Sequence, residues 1–181
     1  MIRKWFGGGE GGEEDPPPPE YTLDTMQVGC LVDYDLKTWE VVGYATCDYE
    51  GAQTREWELR CGDLLRYLEQ DEETWILSAR ISLRELSEPV AEVIARQGDP
   101  PEELHYQGRV YRAISSSAGE YVEGGKGLGR EFVSWTYETA EGDRVLFVSQ
   151  WGERDYRSFE GEYVEEYQFT DILPAPKEGG A

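Results

Sequence analysis

Histidine is nearly missing from this sequence, and its scarcity closes off several chemistries at once. A lone imidazole, His105, excludes multi-histidine metal centres and leaves one candidate base, placed just ahead of an expected strand where an exposed or packing role suits it. Cysteine is scarce too. Cys30, Cys47 and Cys61 form an odd set without C-x-x-C pairing, so no disulfide framework is indicated. A zinc site would need all three to converge with His105 from distant parts of the chain. Free thiols in a reducing cytoplasm fit, and neither Cys47 nor Cys61 has the basic surroundings that would activate it. No stretch joins a basic start, an apolar run and a small-residue cleavage site, and no window approaches the roughly 20 apolar residues of a membrane span. The expectation is a cytoplasmic protein with no transmembrane segment, no metal and no cofactor, reaching a membrane only peripherally and through a partner.

Positive charge is the third scarcity. Seventeen Lys and Arg stand against 38 Asp and Glu, a formal net charge of -21. A polyanion of that density is repelled by phosphate backbones and anionic headgroups, which argues against nucleic acid as a partner. It serves solubility, and it attracts cations or a basic protein surface.

Recognisable catalytic frames are absent as well. Ser115, Ser116 and Ser117 lack the Gly-x-Ser-x-Gly setting of a hydrolase nucleophile. The glycine-rich stretch 119–130 imitates a phosphate loop, but Glu120 stands where a glycine is required and Gly127 where the magnesium-binding Ser or Thr belongs. It is expected to form a long mobile hairpin, with a lid or partner-gripping role as the alternative. Carboxylate pairs are so numerous that their proximity carries little information.

What is present is a folding chain. Hydrophobic residues make up 39%, with six Trp and twelve Tyr, too many large apolar side chains for a disordered polypeptide. Residues 1–20 read as a flexible acidic Gly/Pro tail, whose Met1-Ile2-Arg3-Lys4-Trp5-Phe6 is its one basic and aromatic patch. Short runs rich in Val, Tyr, Trp and Thr then predict strands over 30–34, 38–42, 53–59 and 64–69. A capping box at Ser82-x-x-Glu85, the spacing of Val90, Val93 and Ile94, and the Gly98 stop before Pro100 predict one helix, with Pro89 as a kink or Ser87 as its cap. Further strands are expected at 109–114, 132–138, 144–150 and 163–169. Gly62-Asp63 and Gly142-Asp143 each sit between two strands, and Trp57 or Trp135 lies in the strand before. These likenesses suggest two related antiparallel β-meander modules, 21–80 and 100–174, joined by a linking helix at 81–99 and followed by a flexible tail, 175–181. The fold expected is mainly β, a barrel- or sandwich-like body.

Many of these positions together resemble a known family. Val28-Gly29, Trp39-Glu40-Val41-Val42-Gly43, Trp57-Glu58-Leu59, Arg66-Tyr67-Leu68, Tyr106-Gln107-Gly108-Arg109-Val110-Tyr111, Trp135-Thr136-Tyr137, Val148-Ser149-Gln150-Trp151-Gly152 and Gly161-Glu162-Tyr163-Val164 are similar in order and spacing to the bacterial domain of unknown function family 4178. The resemblance spans about 25–174. It implies a β-rich fold, sometimes duplicated, without an established activity. It also implies genes lying near phage-shock-protein-A-like membrane-stress proteins and polyamine-related enzymes. No catalytic residue carries over, and Gln150 stands where the family pattern would have an acidic residue.

The least random cluster is Glu153, Asp155 and Glu160 beside Trp151, Tyr156 and Phe159, because carboxylates with aromatic faces are what a cation site needs. The candidate binding residues are Trp151, Glu153, Asp155, Tyr156, Trp135 and Tyr137. The reading that follows is a non-enzymatic binding or adaptor module for a basic protein or an organic cation such as a polyamine. Its alternatives are a small carboxylate-dependent hydrolase or transferase, and a structural subunit of an assembly.

Overall fold

The computed structural model describes residues 21–174 apart from residue 50; the expectations for the tails 1–20 and 175–181 lie outside the described residues. The chain runs β1 (Leu31–Tyr34), β2 (Lys37–Tyr49), β3 (Ala52–Cys61), β4 (Leu64–Asp71) and β5 (Thr74–Ile81). A 3-10 turn (Leu83–Glu85) and α1 (Val90–Gln97) follow, then β6 (Glu103–Tyr106), β7 (Arg109–Glu123), β8 (Arg130–Glu138), β9 (Arg144–Gln150), β10 (Tyr156–Val164), a second 3-10 turn (Glu166–Gln168) and β11 (Thr170–Leu173). Among the described residues the strands form a single sheet in the order β11-β1-β2-β3-β4-β5-β10-β9-β8-β7-β6, and a further pairing of β2 with β7 closes eight of them into an uneven ring. The fold is mainly β and antiparallel, barrel- or sandwich-like, with one α-helix. No helix among the described residues is long and apolar enough to cross a membrane.

Local chemistry explains most of these elements. Gly62 and Gly142 turn the β3–β4 and β8–β9 hairpins at φ 59° and 69°, a left-handed conformation that favours glycine. The Ser82 capping box forms, with the Ser82 amide donating to Glu85 Oε2 at 2.7 Å and the Arg84 amide to Ser82 Oγ at 3.3 Å. It closes the short 3-10 turn, however, not the helix. α1 begins after Pro89, with no side-chain cap from Ser87, and stops at left-handed Gly98.

Three strands, β5, β6 and β11, are not marked in the sequence, and two further expectations are corrected. Trp75, Ile76, Leu77 and Ser78 of β5 are all buried, so a central strand covered on both faces shows no alternation. The strand expected at 163–169 is instead β10, which ends at Val164 and gives way to a 3-10 turn. Residues 119–123, expected in a mobile hairpin, continue β7 and pair with both β2 and β8.

Two apolar clusters form on the sheet. The first gathers Leu23, Met26, Trp39, Trp57, Leu68 and Trp75, with the Trp57 indole donating to Met26 O at 3.0 Å. The second gathers Val90, Ile94, Leu104, Tyr111, Trp135 and Leu146. Beside it, Arg144 of β9 donates from Nε and Nη2 to the Glu160 carboxylate at 2.8 and 2.9 Å and from Nη1 to Glu162 at 2.9 Å. The Tyr111 hydroxyl donates to the same Glu160 at 2.8 Å, and burial followed by that carboxylate pushes its pKa up to about 12. Tyr111→Phe is therefore expected to cost about 1–2 kcal/mol, because a mostly buried carboxylate loses a donor while the ring still fills its place. A urea titration measures it, and an unchanged midpoint would contradict this role for the hydroxyl.

Candidate binding cleft

The pairing of β2 with β7 is what makes the site. It runs from Ala45↔Glu123 to Asp48↔Glu120, while β7 and β8 are registered with Glu120 opposite Glu131. Asp48, Glu120 and Glu131 therefore stand in one row across three neighbouring strands, on one face, about 4.8 Å apart from strand to strand. All three are exposed. Among the described residues, none is in a salt bridge.

An open cleft of about 860 Å³ lies over this row. Its floor and walls come from Thr46, Ala118, Val122, Phe132, Val133 and Trp151, its polar edge from Asp48, Glu120, Glu131, Gln53 and Gln150, and no Lys or Arg lines it. Arg130, next in sequence to Glu131, is drawn elsewhere: its Nη2 binds Asp155 at 2.5 Å and the Trp151 carbonyl at 3.3 Å. Alternation along the strand explains the division, since Arg130 and Glu131 face opposite sides of the sheet.

The six expected binding residues part company. Trp151 walls the cleft, stacked on Phe132 at 4.7 Å and edge-on to Tyr121 at 5.3 Å. Its ring carries the chain's own cations, with Arg157 4.2 Å and Arg130 5.2 Å from the centroid. Asp155 pairs with both arginines. Glu153 and Tyr156 line a separate groove against α1, with Ala91, Ile94 and Arg154. Trp135 and Tyr137 are buried in the second apolar cluster, at 6% and 0% exposure, where the Trp135 indole donates to Asp99 and the Tyr137 hydroxyl to the Pro101 carbonyl. Aromatic side chains that read as surface candidates are here part of the core: they share a face of β8 with exposed Glu131 and Val133, but α1 and residues 99–101 cover their end of it. Asp48, Glu120 and Glu131 are not legible as a group in the sequence. Turn placement alone sets Glu120 opposite Glu131, but the non-local pairing that adds Asp48 leaves no local signal.

On the other face of the sheet, in the neighbouring strands, a second acidic feature is enclosed. Glu56 and Glu69 are direct cross-strand partners in β3 and β4. Burial, opposed by a Tyr121 hydrogen bond, pushes Glu56 up to about 7; burial and then the charge of Glu56 push Glu69 up to about 8. Burial, with these two acids, also drives the nearby Cys47 thiol far above its ordinary pKa, so it is no thiolate nucleophile. Register places this pair and the cleft on opposite faces of the sheet, so the acids that hold protons near neutral pH do not line the cleft. Among the described residues, no group of three or more His, Cys, Asp and Glu is arranged to hold a metal ion.

Comparison with known proteins gives a family and no ligand. The family model described as Domain of unknown function (DUF4178) matches residues 27–166. A protein of Aquifex aeolicus (strain VF5) described as "Uncharacterized protein" is 27% identical over 153 residues, covering 84% of this chain and 85% of that protein. No solved structure matches.

Proposed function

The chain belongs to the DUF4178 family of domains of unknown function, and from that premise we propose that it is a non-catalytic binding module that engages a basic protein or an organic cation through the carboxylate row of the cleft. One observation carries this reading: Asp48, Glu120 and Glu131 lie directly opposite one another across three strands with no basic residue lining the cleft. Like charges in that relation cost about 0.2–1 kcal/mol per pair, and a cation laid across them converts the repulsion into attraction. The apolar floor beside the row suits the methylene stems of lysine, arginine or a polyamine. The net charge of -21 draws such partners from a distance. A cation-reading module also fits the membrane-stress or polyamine-linked setting that the family resemblance implies.

Calorimetric titration with spermidine and with a lysine-rich peptide, at low and physiological salt, tests the reading. The triple variant Asp48→Asn, Glu120→Gln, Glu131→Gln is expected to bind about tenfold or more weakly. Glu72→Gln, Glu92→Gln, Glu141→Gln removes the same charge from remote positions and is expected to act only through the weaker, screened field. Equal losses in the two triple variants would sink the site while leaving nonspecific attraction.

A further inference from the structure

We infer that the occupant of this cleft is an extended basic peptide, added as a strand to the open edge of β7. The inference rests on the cation-binding reading above and specifies its partner and its mode of docking. β8 pairs with one edge of β7 along Arg112 to Tyr121. The opposite edge is shared by two strands that do not meet: β6 covers Arg109 to Arg112, an amide bond from Ala113 N to Glu102 O follows at 2.8 Å, and β2 takes over at Glu120. Among the described residues, 114–117 have no partner strand on that edge. Ile114 is 54% exposed, and Ser115, Ser116 and Ser117 are exposed on both faces of the strand.

Such an edge is a template for main-chain pairing, since alternate residues of a strand aim N–H and C=O outward. Natural edges are blunted by charge, proline or bulges. Here a bulge between Ala113 and Ser115 breaks the register with β8 at the start of the gap, but beyond it the sequence Ser-Ser-Ser-Ala carries neither charge nor proline. The edge leads into the cleft, which Ala118, Gly119 and Glu120 line. Alternation puts Ala118 on the same face as Glu120, so the side chain of an added strand opposite Ala118 lies diagonal to Glu120 and in line with Asp48, which β2 holds opposite Glu120 on the same edge. Diagonal neighbours about 7–8 Å apart are within reach of lysine or arginine. Main-chain bonds would supply affinity and the carboxylate row would select basic residues on one face, the division of labour of strand addition. A second copy of the chain fits poorly, because two bodies of formal net charge -21 repel each other.

The test uses the full chain and a capped hexapeptide of alternating lysine and valine, two versions of it N-methylated at alternate backbone positions in either register, and spermine. Strand addition predicts that the unmodified peptide binds, that at least one N-methylated version binds about tenfold more weakly, and that amides within 114–117 gain exchange protection. If the unmodified peptide and both N-methylated versions bind within about twofold of each other, strand addition is overturned while the cation reading stands. If neither peptide nor spermine binds, the cation reading itself falls and takes the inference with it. Concentration-dependent dimerisation that protects 114–117 without peptide would also overturn it, assigning the edge to a second copy.

Discussion

Gly161→Ala is expected to destabilise the protein by about 3 kcal/mol, among the largest effects of any single methyl group in the molecule. Gly161 is buried in the middle of β10, opposite Ser78 of β5 and Val145 of β9. A Cβ there would stand 2.7 Å from the Leu77 carbonyl oxygen, 2.8 Å from Ser78 Cβ and 2.9 Å from Ser78 Cα. Two of these three atoms are main chain, so relief requires β10 to part from β5. That pairing and β2–β7 are the two seams between early and late strands that close the ring. Alanine's lower conformational freedom in the unfolded chain returns only about 0.5–1 kcal/mol. Gly43→Ala is the milder comparison: its new Cβ meets Glu58 Cβ at 3.1 Å, a contact relieved by a shift of a few tenths of an ångström rather than by parting two strands. Urea unfolding of the two variants compares them, and a Gly161→Ala protein as stable as the wild type would show that the seam is looser than this packing requires.

Stability is expected to fall as pH rises from about 6 to about 9, by roughly 3 kcal/mol, and Glu69→Gln is expected to remove most of that slope. The sign follows from the direction of the shifts. In the folded chain Glu56 and Glu69 titrate at about 7 and about 8, above the ordinary value of 4.5, so the native state holds protons that the unfolded chain has released. Their contribution is fully present below the unfolded pKa and is lost as pH rises through the folded values. The magnitude is set well below the full value of both shifts because the side chains keep some exposure and titrate as a pair. The overall negative charge pushes the same way, since self-repulsion grows as carboxylates ionise. Thermal or denaturant melts of wild type and Glu69→Gln across this range separate the two causes. Parallel curves would mean that the pair is solvated and the slope belongs to net charge alone.

The sequence shows its local chemistry clearly and its long-range pairings hardly at all. Gly62-Asp63 and Gly142-Asp143 are legible because a left-handed turn between two strands leaves few residue choices. The Ser82 box is legible too, although what it caps, a 3-10 turn, depends on Pro89 delaying the helix. β5 is invisible to alternation because Trp75 to Ser78 are covered on both sides. The candidate site divides along the same line. Trp151, singled out in the sequence beside its acids, walls the cleft, but the cations on its ring come from Arg130 and Arg157, which approach from β8 and β10. Trp135 and Tyr137 are misread as surface residues, since an aromatic strand looks the same in sequence whichever face is covered. The row of Asp48, Glu120 and Glu131 depends on β2 meeting β7, a pairing of residues more than seventy positions apart. No property of either segment announces it.

The site itself is open to one direct measurement: amide chemical shifts of the isotope-labelled protein, followed while spermine or the alternating lysine–valine peptide is added at physiological salt. The perturbed amides are expected to concentrate at Thr46 to Asp48, Gly119 to Val122 and Glu131 to Val133, where the three strands carry the carboxylate row, and to saturate together. Perturbations confined to Glu153, Tyr156 and the groove beside α1, or scattered over every acidic surface without saturating, would contradict this expectation.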